Sequence, residues 1–349
     1  MTQLPIEDLE PEPGPPAAKP RARPSAAVGE AASEQAAQSS SARERAAEVR
    51  ARIALSLLAE AGDQDVGALV ARVGAVRAAE ELARYRVPRR SGADLATAVA
   101  GQIERARKVA ARCLIPGDGA WPSQLDDLGF GAPVLLWVRG GQLRPSLLRS
   151  VAMVGARACS PYGRVQAETL AADLALFGWT IVSGGAYGID AAAHAGALAV
   201  GGQTVLVSAG GVDKAYPRGN EQVYARVLDS GCVVSEYPLG STPARHRFLV
   251  RNRLIAALSR GTVVVEAGYR SGARSTAASA GALNRHVMAV PGPVTSDLSA
   301  GCHRMIRRGG RARPQAAVPR PPSLSPCTAC ISAWRAWLTI WPFQASVSV

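Results

Sequence analysis

Lysine is nearly missing from this chain of 349 residues. Lys19, Lys108 and Lys214 are the only lysines among 40 basic residues, and the rest are arginines. An arginine fork matches phosphate and carboxylate geometry, so the bias fits an anionic partner; genomic base composition explains it equally well. The four histidines, His194, His246, His286 and His303, contain no HxxxH pair, and no helical zinc pair is expected. The six cysteines show no secreted framework, which reads as reduced thiols in a cytoplasm. Cys327 and Cys330 form a lone CxxC without a second ligand pair, which argues against zinc. No apolar run approaches about 18 residues, so no membrane span is expected. The start, MTQLPIEDLE, is acidic and does not resemble a signal peptide. Neither a GxSxG elbow nor a GxGxxG fingerprint occurs, and no cysteine has an evident base beside it. The reading is of a protein that is not an enzyme and needs no cofactor or metal.

What is present is a net charge of +13 and 48% apolar residues, enough for a sizeable core and up to two domains. Residues 1–49 are acidic by three, while 50–150 sum to +5, 151–310 to +7 and 311–349 to +4. The basic balance thus belongs to the folded part and the tail, which favours an anionic partner. Residues 1–45, rich in Pro, Ala, Ser and Glu, are expected to be a disordered leader. Residues 46–105 carry three helical patterns and read as a small helical module, either a packing unit or a DNA-binding hairpin. Residues 311–349 have no acid and no sustained period, and are expected to form an atypical, disordered tail.

Between these lies strong alternation. Val- and Ile-rich strand candidates at 150–155, 180–183, 203–208, 232–235, 262–266 and 286–290 flank helical patterns at 164–177, 189–200, 220–229, 250–259 and 273–284. Strands without polar alternation are buried on both faces. The fold class is therefore α/β, a doubly wound, mostly parallel sheet preceded by the helical module. A further buried strand is expected in APVLLWVRG.

Ligands of open parallel sheets bind beyond the carboxyl ends of the strands. GARACSPYG follows the first strand and places Arg157 and Ser160 before a helix, either as an anion seat or as a plain turn. SGGAYGID follows the second; Gly184, Gly185 and Gly188 suit a phosphate cradle or close helix–strand packing. The third loop offers Lys214, Tyr216, Arg218 and Asn220, an aromatic between cations as in single-strand binding, or simply a polar loop. Pro243 then leads into ARHRFLVRNRLIAALS, where arginines oppose the dipole at a helix start. EAGYRSGARSTA closes the set, with Ser271 and Gly272 at another helix start. Asp190, Glu236 and Glu266 end strands or start helices, but nothing in the sequence pairs them as acid and base.

VGARACSPYG, SGGAYGIDAAAH, YPRGN, SEYPLGSTPARHRFLVRNRLIAALS, VVEAGYRSG and AVPG, in this order over 110–310, resemble the DNA-processing protein A family, also called DprA or Smf. That resemblance implies an extended Rossmann-like domain over 106–310, a helix-hairpin-like front module and a homodimer. It also implies cooperative binding of single-stranded DNA, protection of that DNA, and loading of the RecA recombinase during natural transformation. It implies DNA or phosphate contacts by Arg157, Ser160, Gly184, Gly185, Gly188, Lys214, Arg218, Asn220, Arg247, Phe248, Arg251, Asn252, Arg253, Ser271 and Gly272. Two departures stand out. SGARSTA replaces a pattern like SGSLITA, and the family pattern stops after GCHRMIRRGG, as though the reading frame changed. The alternatives are a Rossmann-like hydrolase of nucleoside monophosphates, weakened by the missing PGGxGTxxE run, and a truncated, non-functional member of the family.

Overall fold

A computed structural model describes residues 26–86, 92–143, 147 and 149–309. Two compact units divide the chain, Met1–Ala46 and Ala47–Val349. Helix α1 (Ala26–Leu58) begins in the first, and every other element belongs to the second. The helix thus starts well before residue 46. Residues 26–45 hold one glycine, Gly29, and no proline among Ala, Glu and Gln, so helix propensity prevails where composition suggested disorder. The expected tail, with Cys327 and Cys330, lies outside the described residues.

The helical module continues with α2 (Gln64–Val73), α3 (Ala75–Arg86) and α4 (Gly92–Lys108). Asp63 caps α2 by accepting the Asp65 and Val66 amides, and Gly74, at φ 80°, ends it. Strands β1 (Ala111–Leu114) and β2 (Leu136–Gly140) follow. The alternating part comprises β3 (Ser150–Val154), α5 (Pro161–Leu176), β4 (Thr180–Ser183), α6 (Ile189–Ala199), β5 (Thr204–Val207) and α7 (Glu221–Ser230). It ends with β6 (Cys232–Ser235), α8 (Arg245–Ala257), β7 (Gly261–Val264), α9 (Ala273–Ala282), β8 (His286–Ala289) and α10 (Ala300–Gly309).

One eight-stranded sheet results, in the order β1-β2-β6-β5-β4-β3-β7-β8. Strands β3 to β8 pair in parallel, as their unbroken Val and Ile runs require, while β1 and β2 add on antiparallel. Alternate residues point to opposite faces. Ala152, Val154, Val182 and Val264 pack with Leu254 and Ile255 of α8, Ala277 of α9 and Cys302 of α10. Val151, Met153, Ile181 and Val263 pack with Ala167 and Ala171 of α5 and Ile189 and Ala193 of α6. Near the other end, Trp137, Leu206 and Val233 join Ile53 and Leu55 of α1 and Val66 of α2 in a third cluster. The helical module is therefore packed onto the sheet directly. No helix among the described residues is long and apolar enough to cross a membrane.

Strand order reverses between β3 and β7. The chain moves outward on one side through β4, β5 and β6, then returns to lay β7 beside β3. This switch point is where ligands of doubly wound sheets bind.

Candidate nucleic-acid interface

The β3–α5 loop lies at the switch point. Ser160 caps α5 by accepting the Gly163 amide at 3.0 Å, with Pro161 at the first helical position. The anion at this helix start is the protein's own. Glu266, 1% exposed, accepts the Ser160 amide at 2.9 Å and the Ser160 hydroxyl at 2.5 Å. A Cβ on Gly163 would stand 2.2 Å from that carboxylate, so glycine leaves it room.

The neighbouring β4–α6 loop repeats the device. Asp190, 6% exposed, accepts the Gly184 amide at 3.1 Å and the Ala186 amide at 3.4 Å. Burial raises the Asp190 carboxyl above the usual range, and Arg251 opposes that rise. Gly188, at φ 76°, is required twice. The left-handed backbone favours glycine, and a Cβ would meet the Ala156 carbonyl at 2.3 Å. Gly188 thus serves close packing of the two loops, while Gly184 and Gly185 leave room for Arg251 and Leu206.

Arg251 fills the space above Gly184. It is 3% exposed and donates to the Gly184 carbonyl at 2.8 Å and to the Val207 carbonyl. Burial lowers it to about 10, with Arg157 adding to the fall and Asp190 opposing it; it remains a cation at neutral pH. Arg251, expected to contact phosphate, is thus turned inward. Its guanidinium is held by carbonyls inside the protein.

Arg253 and Ser160 are likewise engaged within the protein. Arg253 donates to buried Glu236 at 2.6 Å, and the Ser160 hydroxyl is engaged by Glu266. Asn252 is buried and reaches the Gly272 carbonyl at 3.3 Å, tying α8 to the loop that carries Ser271 and Gly272. Arg247 turns toward the helical module, pairing with Glu60 at 2.9 Å and stacking on Tyr237 at 4.8 Å. The sequence shows four arginines at a helix start but not which of them point inward.

The rest converge. Exposed Arg157 lies 4.8 Å over the Phe248 ring, whose centroid is 5.6 Å from that of Tyr216. The Gly219 amide, beside exposed Arg218, donates to the Tyr187 hydroxyl at 3.3 Å. Asn220 donates to the carbonyls of Gly185 and Ala186 at 3.0 and 3.1 Å, locking the β4 and β5 loops together. Tyr187 and Tyr216 are 48% and 45% exposed, so their faces are open to a partner. Lys214 is exposed and donates to the Gly240 carbonyl at 3.3 Å. Tyr187 was missed in the sequence, although an aromatic within a glycine loop, GGAYG, was its signal. Adjacent strands lie about 4.8 Å apart, so the loops after β5, β4, β3 and β7 form a rim roughly 15 Å long. It carries cations and aromatic faces, while the acids beneath it are engaged within the protein.

A family model described as DNA recombination-mediator protein A matches residues 112–317. A putative DNA processing protein DprA of Mycobacterium tuberculosis is 45% identical over 280 residues, covering 74% of this chain and 71% of that protein. The DNA processing protein DprA of Streptococcus pneumoniae is 40% identical over 196 residues, 56% of this chain and 68% of that one. The solved Streptococcus pneumoniae DprA structure superposes with a TM-score of 0.60 at 31% identity, covering 74% of this chain and 91% of that one. A Helicobacter pylori DprA structure, described for its single-stranded DNA binding mode, superposes with a TM-score of 0.52 at 31% identity, over 57% and 88% of the two chains. On the extent of these matches, the chain belongs to the DNA recombination-mediator protein A family.

Proposed function

We propose that this protein binds single-stranded DNA along the rim at the carboxyl ends of β5, β4, β3 and β7. The observation that carries this reading is the contiguous group of Arg157, Phe248, Tyr216, Tyr187 and Arg218. Two exposed guanidiniums flank aromatic faces, the pairing that grips a backbone and stacks unpaired bases. Duplex DNA keeps its bases stacked and offers such a surface only phosphates. Ser160, Gly184, Gly185, Gly188, Arg251 and Asn252 act from beneath: they hold the loops that present the contacting side chains. Lys214, Ser271 and Gly272 flank the path.

The test is a fluorescence-anisotropy titration of oligo-dT and of duplex across a salt series. Affinity for oligo-dT should fall with a log–log slope of roughly −0.7 per phosphate neutralised. Arg157→Ala should weaken it about tenfold or more. Equal or tighter duplex binding that ignores Arg157→Ala would defeat the proposal. Protection of the strand, loading of the RecA recombinase and a homodimer are carried over from the family resemblance. Nuclease protection, RecA pull-down and sedimentation test each. The hydrolase alternative has its acids engaged elsewhere: Glu266 on α5, Asp190 on the β4–α6 loop and Glu236 on Arg253.

A further inference from the structure

The segment that follows β7 ends the rim with a tight turn. The Ser271 amide donates to the Gly268 carbonyl at 3.2 Å, which puts Tyr269 and Arg270 at the central positions. Both side chains are exposed, Tyr269 by 54%. Neither the Tyr269 hydroxyl nor the Arg270 guanidinium has a protein partner among the described residues. The backbone beneath them is held fast. The Ala267 amide donates to the Leu298 carbonyl at 2.8 Å and the Gly301 amide to the Ala267 carbonyl at 2.7 Å, so the start of α10 anchors the entry to the turn. A Cβ on Gly301 would stand 2.4 Å from that carbonyl, so glycine permits the approach. Asn252 of α8 anchors the exit through the Gly272 carbonyl at 3.3 Å. Arg274, in the stretch SGARSTA that departs from the family pattern, reaches back from the first turn of α9 and donates to the Tyr269 carbonyl. A cation at a helix start is unfavourable by itself, and here its guanidinium braces the turn.

The place of the turn follows from the sheet. Strand β7 lies beside β3, and the Ala156 amide donates to the Glu266 carbonyl at 2.8 Å, so Arg157 and Ala267 leave neighbouring strands about 4.8 Å apart. Tyr269 is three residues past Glu266, at most about 11 Å of chain. On α8, Phe248 and Asn252 are one turn apart on the same face, and Asn252 is the residue that touches the loop carrying the turn. Along the rim the order is therefore Tyr216 and Tyr187 at β5 and β4, Arg157 with Phe248 at β3, and Arg270 with Tyr269 at β7. A cation beside an open aromatic face thus recurs along one edge, the arrangement that follows an unpaired strand base by base.

We propose that Tyr269 and Arg270 form a second stacking step for single-stranded DNA, beyond the Arg157–Phe248 pair. Tyr269 receives a base, Arg270 the adjoining phosphate, and Arg274 is a positioning residue; the inference rests on the single-strand reading above. Anisotropy of the full chain with oligo-dT of about 4 to 16 nucleotides tests it. The shortest strands should bind the parent and Tyr269→Ala alike. Strands long enough to reach β7 should bind that variant at least about fivefold more weakly, while Tyr269→Phe matches the parent. Arg270→Ala should flatten the log–log salt slope of the longer strands by roughly 0.7. Arg274→Ala should reproduce the length-dependent loss, and Arg274→Lys, still able to donate to the carbonyl, should restore binding. Photocrosslinking of a bromouracil-substituted oligo-dT should mark Tyr269. Melting temperatures of the Tyr269 and Arg270 variants should not move, since both side chains are exposed. The proposal is overturned if Tyr269→Ala binds every length as the parent does, or if Tyr269→Phe loses as much as Tyr269→Ala. With Arg157→Ala still weakening the strand, the rim then stands without this step. A loss in Arg274→Ala that is equal at all lengths overturns its positioning role. Long strands weakened by Tyr269→Ala but untouched by Arg157→Ala remove the centre of the rim and leave the turn as the site. No binding of oligo-dT removes both.

Discussion

Arg157 and Arg251 approach the same Phe248 ring from 4.8 and 5.9 Å, yet their replacement should have opposite consequences. Arg251→Ala removes a buried guanidinium from two carbonyls and from the field of Asp190. Leaving a buried carbonyl without its partner costs about 1–3 kcal/mol, and two lose theirs here, a large share of the ~5–15 kcal/mol that holds a domain folded. The loss should depend on pH. Burial raises the Asp190 carboxyl in the fold, so as pH rises the unfolded chain releases this proton first. Its contribution is complete below the ordinary carboxylate range and is lost as pH rises through the folded value. Removing Arg251 raises that value further, so the variant's deficit should be larger at a pH well above the carboxylate range than at one within it. Arg157→Ala, on an exposed side chain, should change stability by no more than ~0.5 kcal/mol while weakening oligo-dT about tenfold or more. Urea unfolding at both pH values, followed by anisotropy on the folded variants, separates the two. A loss below about 1 kcal/mol for Arg251→Ala, or an equal loss for Arg157→Ala, would refute the division into buried support and exposed contact.

Acid should loosen the fold through His194. Thr204 Oγ1 donates its proton to the Ile181 carbonyl, so His194 Nδ1 must be the donor in their 2.7 Å contact, and the ring is neutral. Burial, with Arg251 adding, lowers its pKa from 6.5 to about 3. The stability it contributes is whole above pH 6.5 and lost as pH falls; between 6.5 and 5 the loss is about 2 kcal/mol. His194→Asn should flatten that part of the urea-midpoint profile. Phe248→Ala removes a base-stacking face and should cost about 1–3 kcal/mol of oligo-dT affinity by anisotropy, with a smaller effect on duplex. Gly188→Ala should destabilise by at least ~1 kcal/mol in a melt and also lower strand affinity, since the carbonyls it strikes belong to Ala156 and Arg157. Glu266→Ala vacates the α5 start. Sulfate should then raise the melting temperature of the variant more than that of the parent.

Much of the architecture was legible because unbroken Val and Ile runs mark buried strands: all six candidates became β3 to β8, although β8, at the sheet edge, is half exposed rather than buried on both faces. Strand β1 escaped because ARCL, four residues with a charge in the middle, carries no pattern. The fate of α8 was legible only in part. Arg247 and Arg251 share a helical spacing, yet one meets the module and the other the sheet interior, and periodicity does not tell a cation that faces water from one that faces carbonyls. Glu266 was visible as an acid at a strand end. Its partner Ser160 lies 106 residues away, and only the pairing of β3 with β7 brings them together.

Glu266 and Asp190 stand where a nucleotide-binding sheet keeps a vacancy for phosphate. With that berth taken, the small phosphorylated metabolites that crowd a cell find little to hold, because each would depend on one helix end. A polymer engages several points at once, and its hold grows from multiplicity. The rim proposed here for a strand therefore relies on many shallow contacts rather than on one deep phosphate seat.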